Sequence, residues 1–279
     1  MIPCIDFGGD GPALHFLHAN GYPPECYRPL ITRLTERYHV FSMRQRPLWP
    51  DSKPEEIADW HPLTDDFLQF LDEHPTGASI AIGHSLGGIV ALRAALRQPE
   101  RFRALVLIDP VLFPPPMVAF IRLIQVLGLS YRLNPYIPEA LRRRRIFENR
   151  ASLTEGYRRK SVFRYLSNPN LEDCVDGLTR PRPDGKYELL YSPEWEAHIY
   201  ATGIWHDMDL WRALPNLNIP FLIIRGAETE TFWNSTARRV LQKVPATRVV
   251  TIPQATHLVP LEWPDEVNRA IQEFLQENL

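Results

Sequence analysis

Apolar segments typical of β-strands alternate along this chain with segments of helical periodicity. The strand-like segments of the first part are Ala13–His18, Tyr38–Arg44, Ala78–Ile82 and Arg103–Ile108. Helical patterns separate them at Glu25–Arg37, Ile57–Glu73 and Leu86–Arg97. Strands that are apolar throughout and connected through helices form parallel sheets covered on both faces. The sequence therefore predicts an α/β architecture.

The alternation stops after Asp109, and about a hundred residues with helical and proline-punctuated patterns follow. It returns with predicted strands at Ile219–Ile224 and Arg248–Ile252, before a C-terminal helix whose apolar positions recur at helical spacing from Val267. We therefore expect a core of residues 1–110 and 214–279, interrupted by a helical cap inserted at residues 111–213.

The composition excludes several classes of protein. Apolar residues make up 44% of the 279 residues, which is too many for a disordered chain. The 31 basic and 33 acidic residues leave a net charge of −2, which argues against nucleic-acid binding through bulk charge. The three cysteines are far apart and fit neither a disulfide framework nor a zinc site. A dinucleotide fingerprint is missing too, so no cofactor or metal is expected.

Targeting signals are the next consideration. The N-terminal residues have no basic region followed by a long apolar run, so they do not resemble a signal peptide. The most apolar long stretch, Val111–Leu129, is interrupted by Pro114–Pro116 and Arg122, which argues against a membrane-spanning helix. We expect a soluble, cytoplasmic protein.

A G-x-S-x-G motif lies where a predicted strand ends and a predicted helix begins, in the order Gly83-His84-Ser85-Leu86-Gly87. A sharp turn at this place exposes the serine hydroxyl, and the two glycines remove the Cβ atoms that would collide as strand and helix approach. The helix N-terminus directs its free N–H groups at a developing oxyanion. Ser85 is therefore predicted to be a nucleophile.

A second motif, His18-Ala19-Asn20-Gly21, begins at the end of the first strand of the alternating pattern. With the serine motif, it makes the chain resemble the α/β-hydrolase superfamily, in which a loop at this place supplies an oxyanion donor. The resemblance implies an α/β-hydrolase fold, with a mostly parallel central sheet, helices on both faces and an inserted helical cap. It also implies an oxyanion hole formed by the backbone N–H groups of Ala19 and Leu86. The side chain of His18 is expected to be structural.

The general base is predicted to be His257, which lies between the last predicted strand and the last helix. In this superfamily the order along the chain is serine, acid, histidine, so the base must come late. His257 is the one histidine after the final strand, whereas its nearest rival, His206, falls in the cap segment.

Three carboxylates compete for the position of the acid. The segment Arg225–Phe232 resembles the family pattern that ends in aspartate, and Glu230 stands in the place of that aspartate. Glu230 is the preferred candidate, since a carboxylate of either length can orient an imidazole. Asp109, after the strand that precedes the cap, and Glu228, with a shifted loop, are the alternatives.

The cap carries a basic segment from Glu139 to Arg164, with nine basic residues against three acidic ones. A solvated surface is its simplest interpretation, and an anionic substrate, a coenzyme A phosphate or an anionic lipid surface are alternatives.

The leading functional hypothesis is a serine hydrolase that cleaves a carboxylic ester of a small molecule with an apolar part. The same residues would serve a thioesterase, a carbon–carbon bond hydrolase or an acyltransferase. A ligand receptor without catalysis on the same fold is a hypothesis of another class.

Overall fold

A computed structural model describes all residues from Met1 to Leu279. Its strands, in chain order, are β1 (Cys4–Gly8), β2 (Ala13–Leu17), β3 (His39–Met43), β4 (Ser79–His84), β5 (Phe102–Ile108), β6 (Ile146–Phe147), β7 (Thr179–Pro181), β8 (Tyr187–Leu189), β9 (Phe221–Gly226) and β10 (Arg248–Ile252).

The helices of the first half are α1 (Arg28–Leu34), α2 (His61–Glu73), α3 (Leu86–Arg97), α4 (Pro115–Val126), α5 (Ser130–Leu133) and α6 (Tyr136–Leu141). Those of the second half are α7 (Arg150–Arg158), α8 (Asn168–Leu178), α9 (Pro193–Thr202), α10 (Met208–Ala213), α11 (Asn234–Lys243), α12 (Val259–Glu262) and α13 (Pro264–Asn278). No helix has the length and apolar character needed to cross a membrane.

Seven strands form the central sheet in the order β1-β3-β2-β4-β5-β9-β10. All neighbouring pairs are parallel except β1 and β3, which are antiparallel. The predicted parallel α/β sheet is thus confirmed, with β1 as an edge strand that the sequence pattern did not reveal. Because these strands are parallel, the loops after β2, β4, β5, β9 and β10 meet at one edge of the sheet.

Helices cover both faces of the sheet, because successive side chains of each strand point to opposite sides. In β4, Ala81 packs into the layer formed by α2, α3 and α11, whereas Ile80 and Ile82 pack towards α1 and α13. Each layer contains 34 buried apolar residues. This double burial explains why the strands are continuous apolar segments in the sequence.

The segment 111–213 contains helices α4 to α10 and a small antiparallel sheet in the order β6-β8-β7. These strands are only two or three residues long, too short to show an alternating pattern in the sequence. Side chains of this segment join both core layers, with Trp195 and Trp211 in one and Val175 in the other. An ion pair between buried Arg93 of α3 and buried Asp207, at 2.8 Å, also connects the segment to the core.

Three histidines of the core, His15, His18 and His84, are at most 1% exposed. Burial penalises the charged imidazolium, and it lowers the pKa of His15 and of His18 to about 4 and that of His84 to about 3. The same groups titrate near 6.5 in an unfolded chain. Acid therefore favours the unfolded chain, in which the three histidines bind protons, whereas in the native state they stay neutral.

We expect the free energy of unfolding to fall as the pH drops below 6.5, by about 2 kcal/mol per buried histidine at pH 5. Urea unfolding at pH 7 and pH 5 measures this loss. In the variant His15→Phe, the new ring enters a site formed by Phe41, Phe67 and Phe70. Its free energy of unfolding should fall by about 2 kcal/mol less than that of the wild type between pH 7 and pH 5. An unchanged loss in this variant would contradict the assignment.

Candidate active site

Ser85 occupies the turn between β4 and α3, at the edge of the sheet where the loops meet. Its backbone has φ 57° and ψ −117°, a conformation that residues with a side chain rarely adopt. The turn is fixed by the Ser85 N–H, which donates to the Ile108 carbonyl at 3.0 Å. The residue is 5% exposed, so its hydroxyl lies in a largely enclosed place.

The two glycines of the motif make this turn possible. A Cβ atom on Gly83 would lie 2.3 Å from the carbonyl oxygen of Gly87, and one on Gly87 would lie 2.2 Å from that of Leu17. Both distances are far below van der Waals contact. The glycines therefore let α3 start directly against the end of β4 and against the loop that follows β2.

His257 lies in the loop after β10, and its Nε2 is 2.9 Å from the Ser85 Oγ. The loop is held by the carboxylate of Glu262, which accepts hydrogen bonds from the N–H of Thr256 at 2.7 Å and from its hydroxyl at 2.6 Å. Burial raises the pKa of Glu262, although the hydrogen bonds from Thr256 oppose this shift. Nothing in the sequence pattern drew attention to Glu262. The rival His206 is in the cap, near Asp59.

The carboxylate beside His257 is that of Asp109. Its Oδ1 is 3.0 Å from the His257 Nδ1, and the residue has no exposed surface. Asp109 directly follows β5 and has a positive φ of 41°. The structure thus places an alternative candidate, and not the preferred one, at the imidazole.

The expectation that Glu230 holds the imidazole is wrong, and so is the alternative Glu228. Glu230 is exposed, and no side-chain hydrogen bond connects it to His257. Glu228 forms an ion pair with Arg164 at 2.6 Å and accepts a hydrogen bond from Tyr165. The physical reason is alternation: both glutamates point outwards, while Thr229 and Thr231, the residues next to them, point inwards.

Thr229 and Thr231, and not the neighbouring glutamates, are the side chains of this loop that reach the site. Each donates its hydroxyl to Asp109 Oδ1 at 2.5 Å, and the Gly226 N–H donates to Oδ2 at 2.9 Å. Burial acts to raise the pKa of Asp109, but His257 and the two hydroxyls outweigh it and hold the pKa below its ordinary value. Asp109 is therefore a carboxylate at neutral pH.

The partners of His257 fix its tautomer. A carboxylate at Nδ1 requires a proton on that nitrogen, which leaves the lone pair of Nε2 directed at the Ser85 hydroxyl. In this state Nε2 can accept the hydroxyl proton, and the Asp109 charge can stabilise the imidazolium that results. The three side chains have the geometry needed to activate a serine nucleophile.

The expectation for Ala19 as an oxyanion donor is also wrong. Its N–H donates to the Tyr27 hydroxyl oxygen at 3.2 Å, in a buried hydrogen bond. The N–H of the next residue, Asn20, has no hydrogen-bond partner within the protein. Leu86, the other expected donor, is the first residue of α3, so its N–H lacks a partner inside the helix.

Tyr27 connects three segments of the site. Besides accepting from Ala19, its hydroxyl donates to His84 Nδ1 at 2.8 Å, and the Nε2–H of His84 donates to the carbonyl of His257 at 2.8 Å. The directions follow because a carbonyl only accepts, which places the proton of His84 on Nε2. This chain joins the loop after β2, the serine turn and the loop of His257.

His18 has the structural role expected for its side chain. The Gln45 N–H donates to His18 Nε2 at 3.1 Å, so Nδ1 carries the proton and donates to the Ala19 carbonyl at 2.9 Å. The amide of Gln45 also donates to the His18 carbonyl at 2.5 Å. These bonds fasten the loop after β2 to the loop after β3.

Several arginines of the basic cap segment have ion-pair or hydrogen-bond partners within the chain. Arg143, Arg145, Arg150 and Arg164 form ion pairs with Glu196, Glu194, Asp176 and Glu228 respectively. Arg158 donates to the backbone carbonyls of Phe163, Leu166 and Ser167. Five of the nine basic residues thus have partners within the chain, so only part of the charge of this segment is available to a ligand.

Comparison with known proteins relates this chain to hydrolases. A model of the alpha/beta hydrolase family matches residues 16–270. The chain is 26% identical to 2-(acetamidomethylene)succinate hydrolase of Mesorhizobium japonicum over 268 residues, covering 96% of this chain and 89% of the relative. It is also 26% identical to a pimeloyl-[acyl-carrier protein] methyl ester esterase of Xanthomonas campestris over 276 residues, covering 97% and 98% of the two chains.

The fold agrees with these sequence relations. The crystal structure of E-2-(acetamidomethylene)succinate hydrolase superimposes with a TM-score of 0.78 at 22% identity, covering 98% of this chain and 94% of the other. The family model covers most of the chain, including the segments of Ser85, Asp109 and His257. This chain is therefore a member of the alpha/beta hydrolase family.

Proposed function

We propose that this protein hydrolyses a carboxylic ester of a small molecule through a covalent acyl-enzyme. The observation that carries the proposal is the pair of contacts at His257, with the Ser85 Oγ 2.9 Å from Nε2 and Asp109 3.0 Å from Nδ1. Membership of a hydrolase family supports it. The methyl ester esterase among its relatives favours an ester as the substrate.

In the first half of the reaction, the Ser85 Oγ attacks the acyl carbon while its proton passes to Nε2 of His257. The negative charge then develops on the former carbonyl oxygen. We assign its stabilisation to the backbone N–H groups of Leu86 and Asn20, since the Ala19 N–H is already donated to Tyr27. Asn20 is close in sequence to Leu17 and His18, whose carbonyls lie against Gly87.

Collapse of the tetrahedral intermediate breaks the ester bond. The proton on Nε2 passes to the leaving alkoxide, and the acyl group stays on Ser85. A water molecule then gives a proton to Nε2 of His257 as it attacks the acyl carbon. The bond between the acyl carbon and the Ser85 Oγ breaks, Nε2 returns the proton to Oγ, and the carboxylic acid is released. Throughout, Asp109 keeps the imidazole in its orientation and stabilises its positive form.

The first test removes the nucleophile. We expect Ser85→Ala to lower kcat on p-nitrophenyl esters by on the order of 10⁴-fold or more, with an unchanged circular dichroism spectrum. A fluorophosphonate probe should label the wild type and not the variant. Full activity of a pure Ser85→Ala preparation would refute the proposal, and a wild type without labelling or turnover would favour a ligand receptor. A parallel panel of acyl-CoA substrates separates an ester hydrolase from a thioesterase.

A second test concerns the acid. Asp109→Asn should lower kcat by roughly 10²- to 10⁴-fold, because a neutral amide neither stabilises the imidazolium nor enforces its tautomer. Glu230→Gln makes the same chemical change on an exposed side chain and should leave kcat within about twofold. Steady-state kinetics on one ester suffices. The reverse ranking would assign the acid to Glu230 and contradict the assignment made here.

We also propose that Tyr27 is a positioning residue, because its hydroxyl connects the loop after β2 to the serine turn. Tyr27→Phe leaves the Ala19 N–H and His84 Nδ1 without a partner, so kcat should fall on the order of tenfold with KM little changed. Tyr38→Phe is the matched control, since its hydroxyl meets Gln272 at 3.5 Å and takes no part in this network. If Tyr27→Phe loses stability but retains kcat, the hydroxyl is purely structural.

A further inference from the structure

Helix α4 of the cap exposes its apolar side. Of its twelve residues, only Val118 is buried. The exposed positions at the helical spacing i, i+3, i+4, i+7, i+10 and i+11 form one stripe, consisting of Pro116, Ala119, Phe120, Leu123, Val126 and Leu127, the last directly after the helix. Phe120 and Leu123 are each 55% exposed, and Val126 is 69% exposed. A surface helix ordinarily turns such a stripe towards the core.

The exposed apolar surface continues beyond α4. Tyr131, Leu133, Tyr136 and Leu141 are each about half exposed, with values from 48% to 58%. We call these four residues and the α4 stripe the cap apolar face. Most monomeric proteins expose only small apolar patches, and a larger one marks a place where another molecule binds.

Cations outnumber anions around this face. Two acidic residues, Glu139 and Glu230, act on Tyr136 through their charge. Between Asp109 and Glu139 the chain has no acidic residue, but it has Arg122 and Arg132. Arg142 and Arg144 follow directly after α6. All four arginines are exposed, and none forms an ion pair, although their neighbours Arg143 and Arg145 do. A surface with exposed aromatic and aliphatic side chains among unpaired cations is complementary to an apolar medium with anionic groups at its boundary.

We infer that the cap apolar face docks onto an anionic lipid surface, with α4 lying in the plane of the interface. At twelve residues α4 is too short to span a bilayer, but its stripe can enter the boundary between headgroups and acyl chains. The four arginines then face the lipid phosphates. A second copy of the chain is a poorer occupant, because a symmetric contact through this face would bring two surfaces with an excess of positive charge together. The inference does not depend on the chemistry at Ser85.

Sedimentation with lipid vesicles tests this inference. The full chain should bind vesicles of phosphatidylcholine with about 30% phosphatidylglycerol, and bind several-fold less to phosphatidylcholine alone or when salt rises from about 0.1 M to about 0.5 M. Phe120→Ser/Leu123→Ser should lower the partition coefficient at least about tenfold. Arg122→Gln/Arg132→Gln should lower it by about fivefold or more per arginine on anionic vesicles only.

Leu241→Ser provides the matched control, because Leu241 of α11 is also an exposed leucine, at 37%, but lies outside the cap. It should bind vesicles as the wild type does. Absence of binding to anionic vesicles, or equal loss in the control, would overturn the inference. A concentration-dependent dimer in sedimentation velocity that Phe120→Ser/Leu123→Ser abolishes would identify a second copy as the occupant instead.

Discussion

The buried charge of Asp109 imposes the strongest constraint on the arrangement of the site. An ionised carboxylate without exposed surface costs several kcal/mol unless donors surround it. Here the donors come from two other segments: the Gly226 N–H and the hydroxyls of Thr229 and Thr231 after β9, and the imidazole of His257 after β10. The two loops must therefore fold over the end of β5 for the carboxylate to remain charged. The same contacts that stabilise the charge also orient the imidazole.

The sequence was sufficient for the parts of the molecule that depend on local pattern. Double burial makes the parallel strands continuous apolar segments, and the turn around Ser85 needs its glycines at fixed spacing, so both features are visible in the chain. The identity of the acid could not be predicted in this way, because Asp109 and Glu230 both follow a predicted strand. Which one reaches His257 depends on the direction in which the side chains of residues 228–231 alternate, and an irregular loop has no periodicity that reveals it. The role of Tyr27 was not predicted, because one partner of its hydroxyl, His84, is distant in the sequence and the other is the backbone N–H of Ala19.

The cap illustrates a different limit of sequence patterns. Its helical character was predicted, but its three short strands were not. Trp195 and Trp211 pack into the core layer. Phe120 and Leu123, which are also apolar, lie on the outside of α4. Apolar periodicity identifies one side of a helix but not what that side contacts, so the orientation of α4 could be obtained only from the structure.

The hydrogen-bond chain through Tyr27 also restricts how this site can change during evolution. Each group in it has one available role: the Ala19 N–H can only donate, the His257 carbonyl can only accept, and His84 must donate from Nε2 and accept at Nδ1. Replacing any one side chain leaves a buried polar atom of another segment without a partner. Substitutions at Tyr27 and at His84 should therefore be strongly epistatic, and sequences that have lost one of these residues should have replaced the other as well.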